Sequence, residues 1–152
     1  HSWSDGTMIA RIANSGGFVS SYANSAEPQA GRGGYLNDWR ANMAAAQPGS
    51  ITGYGFGTDV NGLGNQAAAR SNAAQQPLVY PFTALNGVTV QRETVGQRTY
   101  DLNTDGMANY GLLADWTADL VLAAGADGPA IKQLLMNSAE TYTSMWEAAR
   151  AW

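Results

Sequence analysis

Cysteine is absent, and histidine occurs once, at position 1. The first absence excludes disulfides and a thiolate zinc site, and it leaves the compartment open. Charge is scarce as well: Asp, Glu, Lys and Arg make up 13% of the chain, about half of the usual quarter. Lys132 is the single lysine, and the seven arginines are scattered. With a net charge of −4, this excludes a nucleic-acid surface, which needs clustered Lys and Arg, and a polybasic membrane patch. Apolar runs such as residues 120–124 fall far short of the ~20 residues that span a bilayer. No signal-peptide pattern is present, and a chain opening on His rather than Met is expected to have been cut from a longer one or to have lost a leader.

Apolar residues account for 45% of the chain, with five Trp and seven Tyr, the make-up of a packed protein. The 18 glycines and many Ala, Asn, Gln, Ser and Thr predict a neutral-polar surface. Disorder requires low hydrophobicity with high net charge, and neither holds. At 152 residues, one domain with a real core is expected.

Asp5 is placed to cap a helix over residues 7–13, which Gly16-Gly17 ends. Residues 18–23 read as a short buried strand. After the Gly31-Arg32-Gly33-Gly34 loop, residues 35–46 read as a helix whose apolar face is Leu36, Trp39, Met43 and Ala46, ended by Pro48-Gly49. Residues 51–57 read as a strand with glycine at alternate positions, which allows close approach by neighbouring backbone or a ligand. This helix–strand alternation predicts a parallel α/β layout, with chemistry at the C-terminal strand ends. Residues 65–76, rich in Ala, Asn and Gln, read as a mobile loop. Residues 78–82 and 88–92 read as hairpin arms around an Asn86-Gly87 two-residue turn, and residues 98–102 as a third short strand. Helices follow over 106–113, 115–124, 129–137 and 139–151, with Ala139, Tyr142, Trp146 and Ala149 on one face of the last. Asp115, Asp127 and Ser138 are candidate caps.

Taken alone, one His and one Asp sixty residues apart are weak chemistry. The plain reading of His1 is a processing scar, and that of Asp59 a turn-forming acid after a strand. Two local patterns say more. His1-Ser2-Trp3-Ser4 resembles the Ser-His-Ser segment ending the sixth barrel strand of membrane (renal) dipeptidase-like proteins. Gly57-Thr58-Asp59-Val60-Asn61-Gly62 resembles their Gly-Ser-Asp-Phe-Asp-Gly segment ending the eighth. The chain is similar to a bacterial, uncharacterised branch of these hydrolases through residues 54–64, 80–83, 100–112, 139–142 and 145–147. The string Tyr100-Asp101-Leu102-Asn103-Thr104-Asp105-Gly106-Met107-Ala108-Asn109-Tyr110-Gly111-Leu112 is the most specific of these.

The resemblance implies an α/β fold, the C-terminal portion (strands six to eight and following helices) of a TIM-type (β/α)8 barrel of the amidohydrolase superfamily, with a small β-hairpin insertion and a helical C-terminus. The expected division is 1–64 for the last barrel strands and helices, 65–104 for the loop and hairpin insertion, and 105–152 for the C-terminal helices. It also implies His1 and Asp59 as ligands of a divalent metal, zinc first, with Asp59 as the catalytic proton carrier. Arg11 and Asn61 are the implied substrate-binding residues. In such a site, divalent metals lower the pKa of a bound water, and an Asp at a neighbouring strand end holds and redirects its proton. The family's remaining ligands have no counterpart here. Asn61 replaces its second acid, and Asn109 stands where a histidine is expected. One imidazole and one carboxylate do not close a catalytic zinc site, which takes about three protein ligands.

Weaker candidates have plainer accounts. Arg11 also reads as a solvent-facing helix residue. Asp101, Asn103 and Asp105 alternate before Gly106, but Leu112 stands where a calcium loop needs Glu, and a helix cap at Asp105 serves better. The Gly31–Gly34 loop lacks the lysine of a phosphate loop. The tryptophans read as core residues rather than a carbohydrate platform. Three functions follow. The first is part of an amide- or dipeptide-hydrolysing enzyme, completed by an upstream chain of the same precursor. The second is a non-catalytic, self-associating structural protein. The third, a copper site on the His1 amino terminus, needs a second histidine that the chain lacks. The expected setting is secreted or cell-surface, with no membrane span.

Overall fold

Asp5 caps the first helix as expected: its carboxylate accepts the Met8 amide at 2.9 Å, and α1 runs Gly6–Asn14 with Ile9 and Ala13, one turn apart, buried. The computed structural model describes residues 5–24, 26, 34–58 and 66–150. Gly16, at φ 81°, turns the chain into β1, Val19–Tyr22. Helix α2, Tyr35–Ala45, buries Tyr35, Leu36, Trp39 and Asn42 and packs on both α1 and β1. It leads to β2, Tyr54–Gly57, which pairs parallel to β1 with Val19 opposite Tyr54 and Tyr22 opposite Gly57. A parallel pair needs a crossover, and α2 lies between the two strands along the chain.

One face of this sheet lies under aromatic rings. Tyr35 meets Tyr54 edge-on at 5.8 Å and Trp116 at 5.3 Å, and Phe56 meets Trp116 at 5.1 Å. On the other face, glycine is a packing requirement. A Cβ on Gly55 would lie 2.8 Å from the Phe18 ring, and one on Gly53 would lie 2.8 Å from the Asn137 carbonyl while driving into the Thr141 hydroxyl. The close neighbours are therefore a ring and the start of the last helix. Gly53→Ala is expected to lift that helix, at about 1–3 kcal/mol. Urea unfolding and limited proteolysis of residues 138–150 read this out, and an unchanged midpoint and cleavage pattern would refute it.

Residues 66–76 have no regular structure but are not loose. Ala67, Arg70 and Ala73 are buried, because Arg70 reaches Asp119 of a later helix. Two small antiparallel hairpins follow. β3 (Phe82–Thr83) pairs with β4 (Thr89–Val90), and β5 (Thr94–Val95) with β6 (Arg98–Thr99). The first hairpin closes differently from expectation. Ala84 donates to Val88 O at 2.8 Å and Gly87 to Ala84 O at 2.9 Å, leaving a three-residue connection, 85–87. Gly87 sits at φ 85°, as in a type I turn followed by a left-handed residue.

The C-terminal part is helical: α3 (Leu102–Asp105), a 3-10 turn (Tyr110–Leu112), α4 (Leu113–Ala124), α5 (Gly128–Met136) and α6 (Ser138–Arg150). The expected helix over 106–113 is broken. Gly106 lies at φ 63°, and the Asn109 side chain takes the Gly111 amide at 2.7 Å, starting a new turn there. Asp101, not Asp105, caps α3. Asp127 stands at the N-cap of α5 without a side-chain capping bond, its carboxylate being taken by Arg40, and Asp115 lies inside α4.

The core gathers Ile9, Val19, Leu36, Tyr54, Met107, Leu112, Trp116, Leu120 and Ile131. Helix α6 contributes no buried residue, and Tyr142 and Trp146 are 55% and 51% exposed. The expectation that tryptophans are core residues holds for Trp39 and Trp116 and fails for Trp146. Trp3 and Trp152 lie outside the described residues. The fold is mixed α and β, and among the described residues its sheets are all two-stranded and form no barrel.

Candidate functional site

Strand pairing brings the C-terminal ends of β1 and β2 side by side. Beyond the last register pair, Ala23 donates to Gly57 O at 2.9 Å, and Asn24 donates to Tyr22 O at 2.9 Å. The Asn24 carbonyl accepts Trp116 Nε1 at 2.8 Å, so α4 fixes the turn leaving β1. Asp59 and Asn61 come directly after β2, and they lie outside the described residues, as does His1. Arg11 is described: it is exposed, in the last turn of α1, away from the Ile9–Ala13 face. Among the described residues, no group of three or more His, Cys, Asp or Glu could hold a metal ion.

Beneath the strand ends lies a buried hydroxyl network that sequence reasoning did not single out. The Tyr54 hydroxyl hydrogen-bonds Ser21 Oγ and accepts Asn42 Nδ2 at 2.5 Å, while Tyr35 OH donates to Gly55 O at 3.1 Å. Burial pushes the Tyr54 hydroxyl up to about 12, partly offset by its bonds to Ser21 and Asn42. Burial, with Tyr54 beside it, raises Tyr35 further. Both phenols stay protonated near neutral pH. Their work is to lock β1, β2 and α2 together.

A second polar cluster joins the hairpins to α4. Tyr80 OH bonds the Asp115 carboxylate, and Arg92 lies 4.8 Å over the Tyr80 ring while pairing with Asp101 at 2.7 Å. Asn103 Nδ2 bonds Leu78 O at 2.9 Å, and its Oδ1 accepts the Leu78 amide at 2.8 Å. A cavity of about 350 Å³ opens beside Tyr80, Arg92, Asp101 and Asn103. Much of the distinctive 100–112 string is thereby accounted for structurally. Asp101 caps α3, Asn103 pins residue 78, and Asp105 takes the Asp101 amide and Arg98, both at 2.9 Å. Gly106 lets the chain pass against the backbone of Ala67 and Ala69, and Met107 donates to Ala67 O at 2.8 Å. In the calcium-loop comparison these residues are thus bonded to protein.

A larger cavity, about 770 Å³, lies between Gly16-Gly17, Thr52 and one side of α6, with Glu140, Thr141 and Met145 in its wall. It adjoins the N-terminal ends of the two strands, opposite the end where Asp59 follows. No helix among the described residues is long and apolar enough to cross a membrane. Comparison with family models, curated proteins and solved structures gives no match.

Proposed function

We propose that this chain is part of a metal-dependent hydrolase of amide- or dipeptide-like small substrates, completed by an upstream chain of the same precursor. The observation that carries the reading is the parallel β1–α2–β2 unit, with Tyr22 and Gly57 at adjacent strand ends and the Gly57–Gly62 motif running on from the second. Parallel units of this kind build TIM-type barrels, where chemistry gathers at the C-terminal strand ends. β1 and β2 would be the last two strands of such a barrel, and residues 1–4 would follow the strand before them. His1 and Asp59 would hold a divalent metal, zinc first, jointly with upstream ligands. Arg11 and Asn61 would meet the substrate. A metal in such a site supplies an acidified water, and Asp59 would hold and return its proton.

A two-stranded parallel sheet is rare on its own, since parallel strands are ordinarily buried within larger sheets. That supports a completing chain. Native and then denaturing mass spectrometry with metal analysis, on the particle purified from its source, tests the reading. A second, larger chain with bound divalent metal is the expected result. A metal-free assembly of this chain alone would refute it.

The second reading is a non-catalytic, self-associating protein derived from the same fold. It is favoured by α6, which presents Tyr142 and Trp146 to solvent on the face with Ala139 and Ala149. A metal-free homo-oligomer that dissociates on Trp146→Ala would establish it.

A further inference from the structure

Residues 78–101 form an arm tied to α4 at a junction whose charges do not balance. Asp115, in the first turn of α4, is 1% exposed. Its carboxylate is met by Tyr80 OH and its own backbone amide. The Tyr80 oxygen in turn accepts Leu102 N–H at 3.4 Å, so the phenol proton is directed at Asp115. Glu93, between the two hairpins, lays its carboxyl against Gly111 at the foot of the same helix. Its Oε2 is buried with no hydrogen-bond partner among the described residues.

The other charges at the junction do not relieve these two. Asp101 is acidic and is taken by Arg92. The Arg92 guanidinium lies over the Tyr80 ring rather than between the carboxyls. One turn further along α4, Asp119 is held by Arg70. A buried carboxylate short of donors is costly. A proton on the Asp115 carboxyl removes one negative charge and converts an acceptor oxygen into a donor.

We propose that the Tyr80–Asp115–Glu93 junction is a proton-operated latch, which grips the hairpin arm more tightly once it takes up a proton. Burial first, then the charges of Glu93 and Asp101, hold the Asp115 carboxyl above the usual carboxylate range, against the opposing pull of Tyr80 OH. A carboxyl raised on folding contributes stability that is fully present below its unfolded pKa, about 3.9, and lost as pH rises through its folded value. Asp101 and Asp105 run the other way. Bonds from Arg92 and Asn103 hold the first below the ordinary range, and the Asp101 amide and Arg98 the second. Their contribution is present at neutral pH and fades only as pH falls through those lower values. The latch therefore tightens first on acidification, before the Asp101 and Asp105 bonds begin to fail. This holds whether or not the chain serves a hydrolase.

The test is hydrogen exchange by mass spectrometry from pH 7 down to about pH 4, close to the unfolded carboxyl value, corrected for intrinsic exchange, comparing peptides of residues 78–101 with peptides of α5. In the wild-type chain, arm protection is expected to rise as pH falls, by up to about tenfold per pH unit for one proton taken up. Asp115→Asn is expected to flatten that dependence. Glu93→Gln, which removes the facing charge and is the milder change, is expected to move its onset to lower pH. Wild-type arm protection that stays constant or falls over this range would overturn the latch. So would a rise that persists unchanged in both variants.

Discussion

Truncating Asp119 to Ala is expected to destabilise the chain by about 3–5 kcal/mol, the cost of leaving a buried charge without its partner. The guanidinium of Arg70 is enclosed, with side-chain exposures of 1% for Arg70 and 8% for Asp119. Nε reaches both carboxylate oxygens, at 3.0 and 2.8 Å, and Nη2 adds a third bond at 2.8 Å. Two further donors go to Asn72 Oδ1 at 2.7 Å and Gln76 O at 2.6 Å. With Asp119 gone, a desolvated cation would keep only neutral acceptors, and residues 66–76 would lose their tie to α4. The urea midpoint should fall sharply, and heat denaturation should come roughly 2–4 °C earlier for each kcal/mol lost.

The double variant Arg70→Met/Asp119→Leu separates pairing from packing. Replacing both charges with apolar side chains removes the desolvation penalty, so most of the loss should be recovered. Arg40–Asp127 serves as the control. Its side chains are 45% and 42% exposed, and breaking it should cost about 0–1 kcal/mol. A loss of less than about 1 kcal/mol in Asp119→Ala would mean that water reaches the pair and that the loop is held by other contacts.

On the proposed hydrolase reading, Asp59→Asn in the completed assembly is expected to lower kcat by about 10²–10⁴-fold with little change in KM. The amide keeps the size and most of the hydrogen bonding of the acid, but it does not accept and return a proton. The chain's melting temperature should stay close to wild type, so a large loss of turnover would report chemistry rather than unfolding. Steady-state kinetics on a small dipeptide, beside a melt of each variant, provides both numbers. Unchanged turnover would remove Asp59 from the mechanism. Absence of any activity in the wild-type assembly would instead refute the hydrolase reading.

The early elements were legible in the sequence because they are governed by local rules. Asp5 before a helical apolar pattern, glycine pairs after it, and a short apolar run at 18–23 correspond to α1 and β1 within a residue or two. The alternating glycines at 53 and 55 were read as places of close approach, but what approaches them, the Phe18 ring and the start of α6, is a matter of tertiary packing. Asn86-Gly87 was read as a two-residue turn. The hydrogen bonds of Ala84 and Gly87 made it three residues, a choice that depends on strand register rather than on the dipeptide. The 66–76 stretch looked mobile because its composition is polar and unpatterned. Its order comes from Arg70, whose partner lies 49 residues away.

By itself, then, the sequence determined the helix–strand alternation, the start of α1 at an acidic cap, and the exclusion of disulfides, since these follow from neighbouring residues and from composition. Tertiary structure alone decided that Arg70 and Asp119 meet, that the 100–106 string pins the hairpin arm, that Asp115 is buried beneath Tyr80, and that Trp146 faces outward. Each of these depends on which distant segments share a low-dielectric interior, and neither helical period nor turn propensity carries that information.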